Sequence, residues 1–310
     1  MLPFSCGPCI RFAMATLQEN TRGAALMMCS MAAFTLNDAC LKAISTEWPL
    51  FQTLTVRGFV TVILIAIMAA VMGAFRKGIA KGDWPLVAAR VGAEIGAAYF
   101  FLTALINLPL ANATAILQTL PLTVSLAGAL FLGEMLGWRR MFAIVVGFVG
   151  VLLIVRPGAD GFNVFSIYAL IAVGFVTVRD LVTRRLSSDT HTMAVTLLSA
   201  IGVFLWAAAF STTTEWAPFT SRSIWLVLGA SLFIIGGYVF SVMVMRVGDI
   251  SFVAPFRYTS LVWALVLGFV LFGEWPSILT ILGALIITGS GLFTFYRERR
   301  IAEREKVAAA

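Results

Sequence analysis

Long apolar runs alternate with short polar segments along the whole chain. A helix that crosses a bilayer needs about 20 mostly apolar residues, and ten runs meet or approach that length. They lie near residues 24–45, 50–74, 84–106, 108–132, 141–156, 164–184, 192–211, 222–245, 250–272 and 278–296. The pattern predicts an all-α polytopic membrane protein with ten transmembrane helices.

The composition agrees with this prediction and excludes a soluble enzyme. Of the 310 residues, 60% are hydrophobic and only 12% are charged, whereas a soluble domain is about 25% charged. His191 is the single histidine, so a multi-histidine metal site cannot form, and we expect no cofactor or bound metal. Cys6 and Cys9 have the spacing of a redox motif. They lack the βαβ unit in which that motif works, and we interpret the spacing as coincidental.

The positive charges indicate how the chain crosses the membrane, because cytoplasmic loops retain Lys and Arg. With the N-terminus inside, 15 of the 22 Lys and Arg residues lie in inner segments. The outer segments then hold only Arg156 and Arg222, with Lys42 near the outer end of the first helix. We therefore predict a multi-pass protein of the inner (cytoplasmic) membrane with both termini in the cytoplasm. The net charge of +7 is interpreted as topological, not as a nucleic-acid-binding signal.

The second half of the chain repeats the first. Asn37–Ser45 matches Arg179–Ser187 at an offset of 142 residues, and Phe131–Glu134 matches Leu271–Glu274 at an offset of 140. Each copy holds five predicted helices, and an odd number forces the second copy to enter the membrane from the opposite side. The sequence thus predicts two inverted five-helix repeats, which is an architecture of secondary transporters.

The predicted organisation has four parts. They are an N-terminal tail at 1–21, a first repeat at 22–158, a second repeat at 164–298 and a C-terminal tail at 299–310. Within the repeats, Gly96 aligns with Gly236 at the offset of 140. The sequence leaves open whether translation begins at Met1 or at Met14.

Short motifs in both repeats carry a resemblance to a known family. They are Pro49–Arg57, the Leu108–Ala113 segment that opens the fourth span, Pro121, and the Gly-Glu pairs that close the fourth and ninth spans. In the order and spacing of these motifs, the chain resembles a ten-helix EamA-type permease of the drug/metabolite transporter superfamily. The match covers nearly all of residues 22–300. The resemblance implies a central cavity lined by helices of both halves, but no single substrate, because the family spans amino acids, nucleotide-related metabolites, vitamins and drugs.

Ionisable residues inside the predicted spans are candidates for the site, since a charge in hydrocarbon costs several kcal/mol. At a rise of about 1.5 Å per residue, Glu94 lies nearly at the midplane, and Asp38, Arg57 and Arg257 lie roughly 6–8 Å from it. The resemblance strengthens Arg57, because an arginine at this point of the second span belongs to the family pattern. A spacing of i, i+4 leaves a purely structural alternative open for three pairs, which are Asp38 with Lys42, Arg90 with Glu94, and Asp180 with Arg184.

Polar and aromatic residues complete the predicted cavity. These candidates are Tyr99, Asn112, Gln118, Tyr238 and Tyr258. Gln118 aligns with Tyr258 at the offset of 140, so we expect the two side chains to project symmetrically into a cavity between the repeats. Pro121 and Pro255 lack an amide hydrogen, which permits a kink or a contact between ligand and backbone.

These features predict a secondary transporter that moves a small metabolite across the bilayer by alternating access. An aromatic cavity with a few polar groups suits a planar, amphipathic solute, so riboflavin uptake is the first prediction, within the riboflavin-transporter branch. Export of amino acids or of other metabolites or drugs is the alternative. A non-transporting structural partner in the membrane is an alternative of a different class. Proton coupling through Glu94 or Asp38, exchange and facilitated diffusion all stay open, as does a homodimer.

Overall fold

The computed structural model describes residues 17–73, 78–132, 137–156, 163–247 and 250–309, and helices form most of these ranges. The helices are α1 (Leu17–Ile44), α2 (Leu50–Val71), α3 (Trp84–Asn107), α4 (Leu110–Leu117), α5 (Leu120–Leu132), α6 (Trp138–Val155), α7 (Phe165–Arg184), α8 (Thr192–Ser211), α9 (Ser221–Val247), α10 (Ile250–Val253), α11 (Thr259–Phe272) and α12 (Ile278–Ala309). Two 3-10 turns, Lys81–Asp83 and Ala254–Tyr258, precede α3 and α11.

The number of membrane helices agrees with the sequence pattern. Within the described residues, eight segments are long and apolar enough to cross a membrane. Met141–Val155 and Ile278–Thr294 are shorter apolar helices, and they supply the fifth and tenth spans. The prediction of an all-α membrane protein with ten transmembrane helices is confirmed.

The outermost helix ends differ from the prediction. α1 begins at Leu17, not near residue 24, and α12 continues to Ala309, not to a point near residue 296. The added turns are polar, so no apolar run marks them in the sequence. In α12 they are rich in Glu, Arg, Lys and Ala, which are strong helix formers.

The fourth and ninth spans are each interrupted next to a proline. α4 ends at Leu117 and α5 begins at Leu120, one residue before Pro121. In the ninth span, α10 passes into the 3-10 turn that contains Pro255. Proline has no amide hydrogen and clashes with the preceding turn of a helix, so both spans break where the sequence permits a kink.

The most extensive contacts between the two halves of the chain are made by four helix pairs, namely α1 with α9, α2 with α8, α3 with α7 and α6 with α12. Each pair runs antiparallel. In the first pair, Ser30 donates a hydrogen bond to the Gly237 carbonyl (2.8 Å), while Cys40, further along α1, lies beside Gly229, nearer the start of α9. When the two repeats are exchanged, the α1–α9 pair takes the place of the α7–α3 pair. In the pairs α2–α8 and α6–α12, the two helices are equivalent to each other. The predicted inverted repeats are therefore confirmed.

Two glycine–phenylalanine contacts show the same relation at the level of single residues. A Cβ added to Gly96 in α3 would lie 2.6 Å from the ring of Phe175 in α7, and one added to Gly237 in α9 would lie 2.7 Å from the ring of Phe34 in α1. The two contacts interchange at an offset of 141 residues. By contact, the counterpart of Gly96 is thus Gly237, one residue after the Gly236 that the alignment predicts.

Apolar side chains fill the interior and also cover the outer surface. Leu105, Leu110 and Ile287 are fully buried where α3, α4 and α12 meet. On the outside, Trp225 and Trp275 are 73% and 77% exposed. Exposed apolar area of this extent marks a surface that meets lipid or a partner, which agrees with a multi-pass protein in a bilayer.

The two ends of the helix bundle are named here by one residue each. The Glu47 end holds the connections α1–α2, α3–α4, α8–α9 and α11–α12, and the Asp83 end holds the connections α2–α3 and α7–α8. Because the repeats are inverted, a position near one end in the first repeat has its equivalent near the other end in the second.

Candidate functional site

A cavity of about 150 Å³ lies between α2, α3, α8 and α9. Five positions of α2 and four of α8 line it, and four pairs of these are equivalent at the offset of 142: Leu54 and Thr196, Arg57 and Ser199, Gly58 and Ala200, and Thr61 and Val203. Two further pairs, from α3 and α9, align in sequence at the offset of 140, which is one residue less than the offset of 141 found from the glycine contacts: Glu94 and Ile234, and Ala98 and Tyr238. The cavity therefore lies where the pseudosymmetry relates the two repeats, and it is built from both.

A second cavity of about 330 Å³ continues toward the Asp83 end. It shares Arg90, Thr196 and Tyr238 with the first cavity. Its wall adds residues from the last turns of α7, among them Arg179 and Thr183. The polar space thus extends from the middle of the bundle toward one end.

Arg57 reaches from α2 to α1, where a neutral side chain holds it. Its Nη2 donates a hydrogen bond to Asn37 Oδ1 (3.2 Å). The Asn37 amide in turn donates to Asp38 Oδ1 (2.8 Å). Asp38 is therefore linked to the cavity through Asn37, while its own side chain lies outside the cavity wall.

The acids and arginines of α3 and α7 form contacts between helices. Arg179 Nη1 lies 3.4 Å from Glu94 Oε1, and Arg179 Nη2 lies 2.9 Å from Asp180 Oδ1. Arg90 donates to the hydroxyl of Thr183. The sequence spacing pairs Glu94 with Arg90 in its own helix, whereas the structure gives it a partner on α7, because these two helices pack face to face.

Several polar atoms in the wall of the first cavity have no partner. Within the described part of the chain, Nε of Arg57, Nε of Arg90, and the hydroxyls of Thr61 and Ser199 are buried without a hydrogen bond. Buried polar groups are nearly always bonded in native proteins, and an exception requires an explanation. All four groups can donate a hydrogen bond, so the wall can hold a polar solute.

Aromatic rings close the first cavity from the Glu47 end. Phe51 lies about one and a half turns before Arg57 in α2, and its ring centroid is 5.5 Å from those of Trp206 and Phe210. Tyr99 stacks on Phe51 with a centroid distance of 6.4 Å. Tyr99, which the sequence predicts for the cavity, is thus part of the aromatic layer above it.

An ion pair between the repeats lies further toward the Glu47 end. Lys42 Nζ lies 2.7 Å from Glu274 Oε1, and the backbone amide of Leu110 donates to Glu274 Oε2 (2.7 Å). The second contact places a carboxylate at the start of α4, where the helix dipole favours negative charge. The sequence spacing allows Asp38 to pair with Lys42 within α1. The structure instead pairs Lys42 with Glu274 of the second repeat.

Loop contacts join the repeats at both ends. The Asp83 carboxylate accepts hydrogen bonds from the amide and hydroxyl of Ser187 (3.1 and 2.7 Å) and from the hydroxyl of Thr190. At the opposite end, the hydroxyl of Thr220 donates to Glu47 (2.8 Å) and Arg222 forms an ion pair with it. The hydrogen bond from Thr220, followed by the contact with Arg222, lowers the pKa of Glu47 from its ordinary value of 4.5.

Comparison with protein families identifies the fold to which this cavity belongs. The chain matches the EamA-like transporter family over residues 21–156 and again over residues 164–296. The chain belongs to this family. A crystal structure of another protein, with 18% sequence identity, superposes with a TM-score of 0.62 over 91% of this chain and 99% of that one, which shows a shared fold.

Relatives of this EamA-like transporter carry names with different solutes. An S-adenosylmethionine uptake transporter of Rickettsia conorii is 25% identical over 93% of this chain and 97% of its own length. A riboflavin transporter of Vibrio cholerae is 32% identical over 64% of this chain and 66% of its own. A pseudopaline exporter of Pseudomonas aeruginosa is 25% identical over 86% and 93%. The similarity therefore supports transport and leaves the solute open.

Three of the nine predicted site residues line the first cavity of this EamA-like transporter, namely Arg57, Glu94 and Tyr238. Gln118 lies at the break of the fourth span, where its amide donates to the Arg257 carbonyl (3.0 Å) and to Ser260. Gln118 thus contacts backbone of the other repeat at the 3-10 turn.

The other predicted residues also lie outside the walls of the two described cavities. Arg257 is exposed, and the buried hydroxyl of Tyr258 lies against Gly291 of α12. Asn112 has a buried side-chain oxygen without a partner among the described residues. Gln118 and Tyr258 therefore do not project symmetrically into the described cavities. A role in substrate binding stays a prediction for Asn112, Gln118, Arg257 and Tyr258.

Sequence reasoning missed the hydroxyl groups of the wall. Thr61 and Ser199 carry no charge, so nothing distinguishes them from other small polar residues in apolar helices. The internal repeat does identify Ser199, because this residue aligns with Arg57 at the offset of 142. No cluster of three or more His, Cys, Asp or Glu that could hold a metal ion occurs within the described residues.

Proposed function

We propose that this EamA-like transporter carries a small ionised metabolite across the cytoplasmic membrane by alternating access. The observation that supports the proposal best is the cavity itself. Equivalent positions of α2 and α8 line it, and in inverted-repeat transporters the substrate lies between the repeats near the membrane midplane. We take residues 22–158 and 164–298 as the two repeats that rock against each other.

The positive charges and the contacts at the Glu47 end suggest which conformation the structure represents. Under the positive-inside rule, the Asp83 end and both termini lie in the cytoplasm. The aromatic layer around Phe51 and the pair of Lys42 with Glu274 close the opposite end, and the second cavity extends toward the Asp83 end. We assign an inward-facing conformation on this basis.

The wall of the cavity narrows the chemistry of the solute. Riboflavin uptake, our prediction from the sequence, depends on an aromatic cavity, and Tyr238 is the one aromatic residue in the wall of the described cavities. Arg57, Arg90 and Glu94 are charged, which favours an ionised solute over a neutral one. Export of an amino-acid-like metabolite is therefore retained beside uptake.

Reconstitution into liposomes tests the proposal. The panel contains labelled S-adenosylmethionine, riboflavin and amino acids, each loaded inside or outside so that uptake and export are both scored. We expect at least one solute to cross faster than in empty liposomes. Arg57→Gln should slow that flux, whereas Arg139→Gln, which changes an exposed arginine outside the cavity, should not. Failure of correctly folded protein to move any member would contradict the proposal.

Glu94 is the cavity acid through which a proton gradient would couple to transport. Its carboxylate contacts Arg179 on α7, so gain or loss of a proton would change a contact between helices of different repeats. With an imposed pH gradient, Glu94→Gln is expected to abolish accumulation of the solute while exchange without a gradient continues. If the variant still accumulates solute at the wild-type level, coupling does not run through Glu94.

A further inference from the structure

The structure assigns an anion-binding subsite to the wall of the first cavity. We propose that Arg57, Arg90, Thr61 and Ser199 together bind an acidic group of the transported solute, a carboxylate or a phosphate. The identity of the occupant rests on the proposed function, since the solute is what enters this cavity. The existence of the subsite depends on the protein alone.

The four unpartnered groups in the wall can all donate a hydrogen bond. Nε of Arg57 and Arg90 and the hydroxyls of Thr61 and Ser199 are buried, line the same cavity and lack hydrogen bonds within the described chain. A buried donor without an acceptor destabilises the protein, so four donors around one space indicate an acceptor that fills it.

The wall also holds two arginine charges. Arg57 is held by the amide oxygen of Asn37, and Arg90 by the hydroxyl of Thr183. Both partners are neutral. Acids offset the two charges from a distance, Asp38 and Glu94 at Arg57 and Glu94 and Asp180 at Arg90, and none of them contacts either guanidinium group directly within the described residues. Glu94 lies in the same wall, but its carboxylate contacts Arg179, which also contacts Asp180.

Water in the cavity would satisfy the hydroxyls but would leave both guanidinium groups without an acidic group in direct contact. A buried charge is costly unless it is paired. An anion supplies both the acceptor atoms and the compensating charge, and arginine donates to carboxylate and phosphate oxygens in short, strong hydrogen bonds. An acidic group therefore fits the subsite better than water or a neutral solute does.

The position of the donors gives the solute an orientation. Arg57 and Thr61 lie on α2, Arg90 lies on α3, and Ser199 lies on α8. The bound anion would thus contact both repeats while its charge is compensated by the first repeat alone. The rest of the solute would extend toward the second cavity, which lies beyond Arg90 and Tyr238.

Small anions test the subsite without knowledge of the solute. Purified protein in detergent is heated with about 50 mM sodium acetate, with sodium phosphate, or with acetamide, all adjusted to equal ionic strength with sodium chloride. Because binding to the native state raises its apparent stability, we expect acetate or phosphate to raise the unfolding midpoint by about 2–4 °C. Acetamide, the neutral analogue of acetate, should cause no rise.

Comparison of the acetate and phosphate arms identifies the acidic group. A larger rise with acetate indicates a carboxylate, and a larger rise with phosphate indicates a phosphate; either result supports the subsite. In the double variant Arg57→Gln, Arg90→Gln the rise should disappear. The matched double variant Arg139→Gln, Arg185→Gln removes two exposed arginines outside both cavities and should retain it. Arg57→Lys, which keeps the charge, should retain part of the rise and guards against loss of folding in the first variant.

The proposal is overturned if acetate and acetamide have the same effect, if neither anion stabilises the protein, or if the Arg57→Gln, Arg90→Gln variant responds like the wild type. These outcomes are distinguishable from failure of the proposed function. Flux of a neutral solute in liposomes without an arginine-dependent anion effect refutes the subsite and leaves the transporter intact. An arginine-dependent effect without flux of any solute refutes the transporter and leaves the subsite intact.

Discussion

The two repeats build the same scaffold but contribute different chemistry to the cavity. Gly96 against Phe175 and Gly237 against Phe34 are the same contact made twice. The cavity wall differs between the repeats, because the charged Arg57 of the first repeat is equivalent to the neutral Ser199 of the second. Packing is thus symmetric across the repeats, while charge is concentrated on one side of the cavity.

This difference shows what duplication preserves. Close helix packing tolerates little change in volume, so the glycines that set the distance between α1 and α9 and between α3 and α7 are alike in both halves. The wall has a different requirement, because a solute that is not itself symmetric needs different groups on its two sides. We therefore expect changes at equivalent scaffold positions to have equal effects, and changes at equivalent wall positions to have unequal effects.

The largest inequality is expected between Arg57 and Ser199. Removing a buried charged partner costs about 2–5 kcal/mol, so Arg57→Ala should lower the initial rate of solute uptake into liposomes by about 30-fold or more. Ser199→Ala removes one uncharged donor to the acidic group of the solute, at the lower end of about 1.5–3 kcal/mol, and should lower the rate by about 10-fold. Rates are compared at equal amounts of reconstituted protein. Equal losses in the two variants would refute the division of roles between the repeats.

The scaffold glycines should behave alike. Gly96→Ala and Gly237→Ala each force a methyl group against a phenylalanine ring, and overpacking costs about 1–3 kcal/mol. Each variant should lower the apparent unfolding midpoint by several degrees, which thermal unfolding in detergent measures. Gly92→Ala and Gly236→Ala are the matched controls, because an added Cβ meets nothing within 4 Å at either position. A large effect at Gly96 and none at Gly237 would argue against equivalent packing.

The smallest effect is expected at the loops. Thr220 and Arg222 lower the pKa of Glu47, so its contact stabilises the closed end while Glu47 is ionised. That contribution is present above the ordinary pKa of 4.5 and is lost as the pH falls through the lowered value.

At neutral pH, Glu47→Gln should therefore lower the unfolding midpoint by about 1 °C or less, as is usual for exposed ion pairs. The difference from wild type should shrink as the solution is acidified below pH 4.5. Asp189 is the equivalent residue at the offset of 142 and is exposed, so Asp189→Asn is the control. A difference that grows on acidification would contradict the assignment.

The sequence alone predicts the architecture well, because it depends on local patterns. The run at 192–211 coincides with α8, since apolar length marks a membrane helix directly. The inversion follows from an odd number of spans in each copy. Pro121 is visible in the sequence, but whether the fourth span kinks there or is interrupted depends on the packing around it.

Contacts between distant parts of the chain account for what the sequence does not predict. The i, i+4 spacing along α1 indicates an ion pair between Asp38 and Lys42, yet Glu274 of the other repeat lies 2.7 Å from Lys42. Gln118 is a polar residue in an apolar helix, and only the folded chain shows that it contacts the backbone at Arg257. These two contacts join residues more than 100 positions apart in sequence, where no local periodicity relates them.

Accessibility of two equivalent wall positions tests alternating access most directly. Leu54 lies in the second turn of α2 near the Glu47 end, and Thr196 lies in the second turn of α8 near the Asp83 end. In protein with Cys6, Cys9, Cys29 and Cys40 replaced by serine, Leu54→Cys or Thr196→Cys is exposed to a membrane-impermeant thiol reagent on one side of oriented vesicles. We predict that both variants react from the Asp83 side at rest, because both positions line the cavity that continues toward that end. Addition of a transported solute should allow both to react from the Glu47 side as well. Reaction from the Asp83 side alone, with or without solute, would contradict the account.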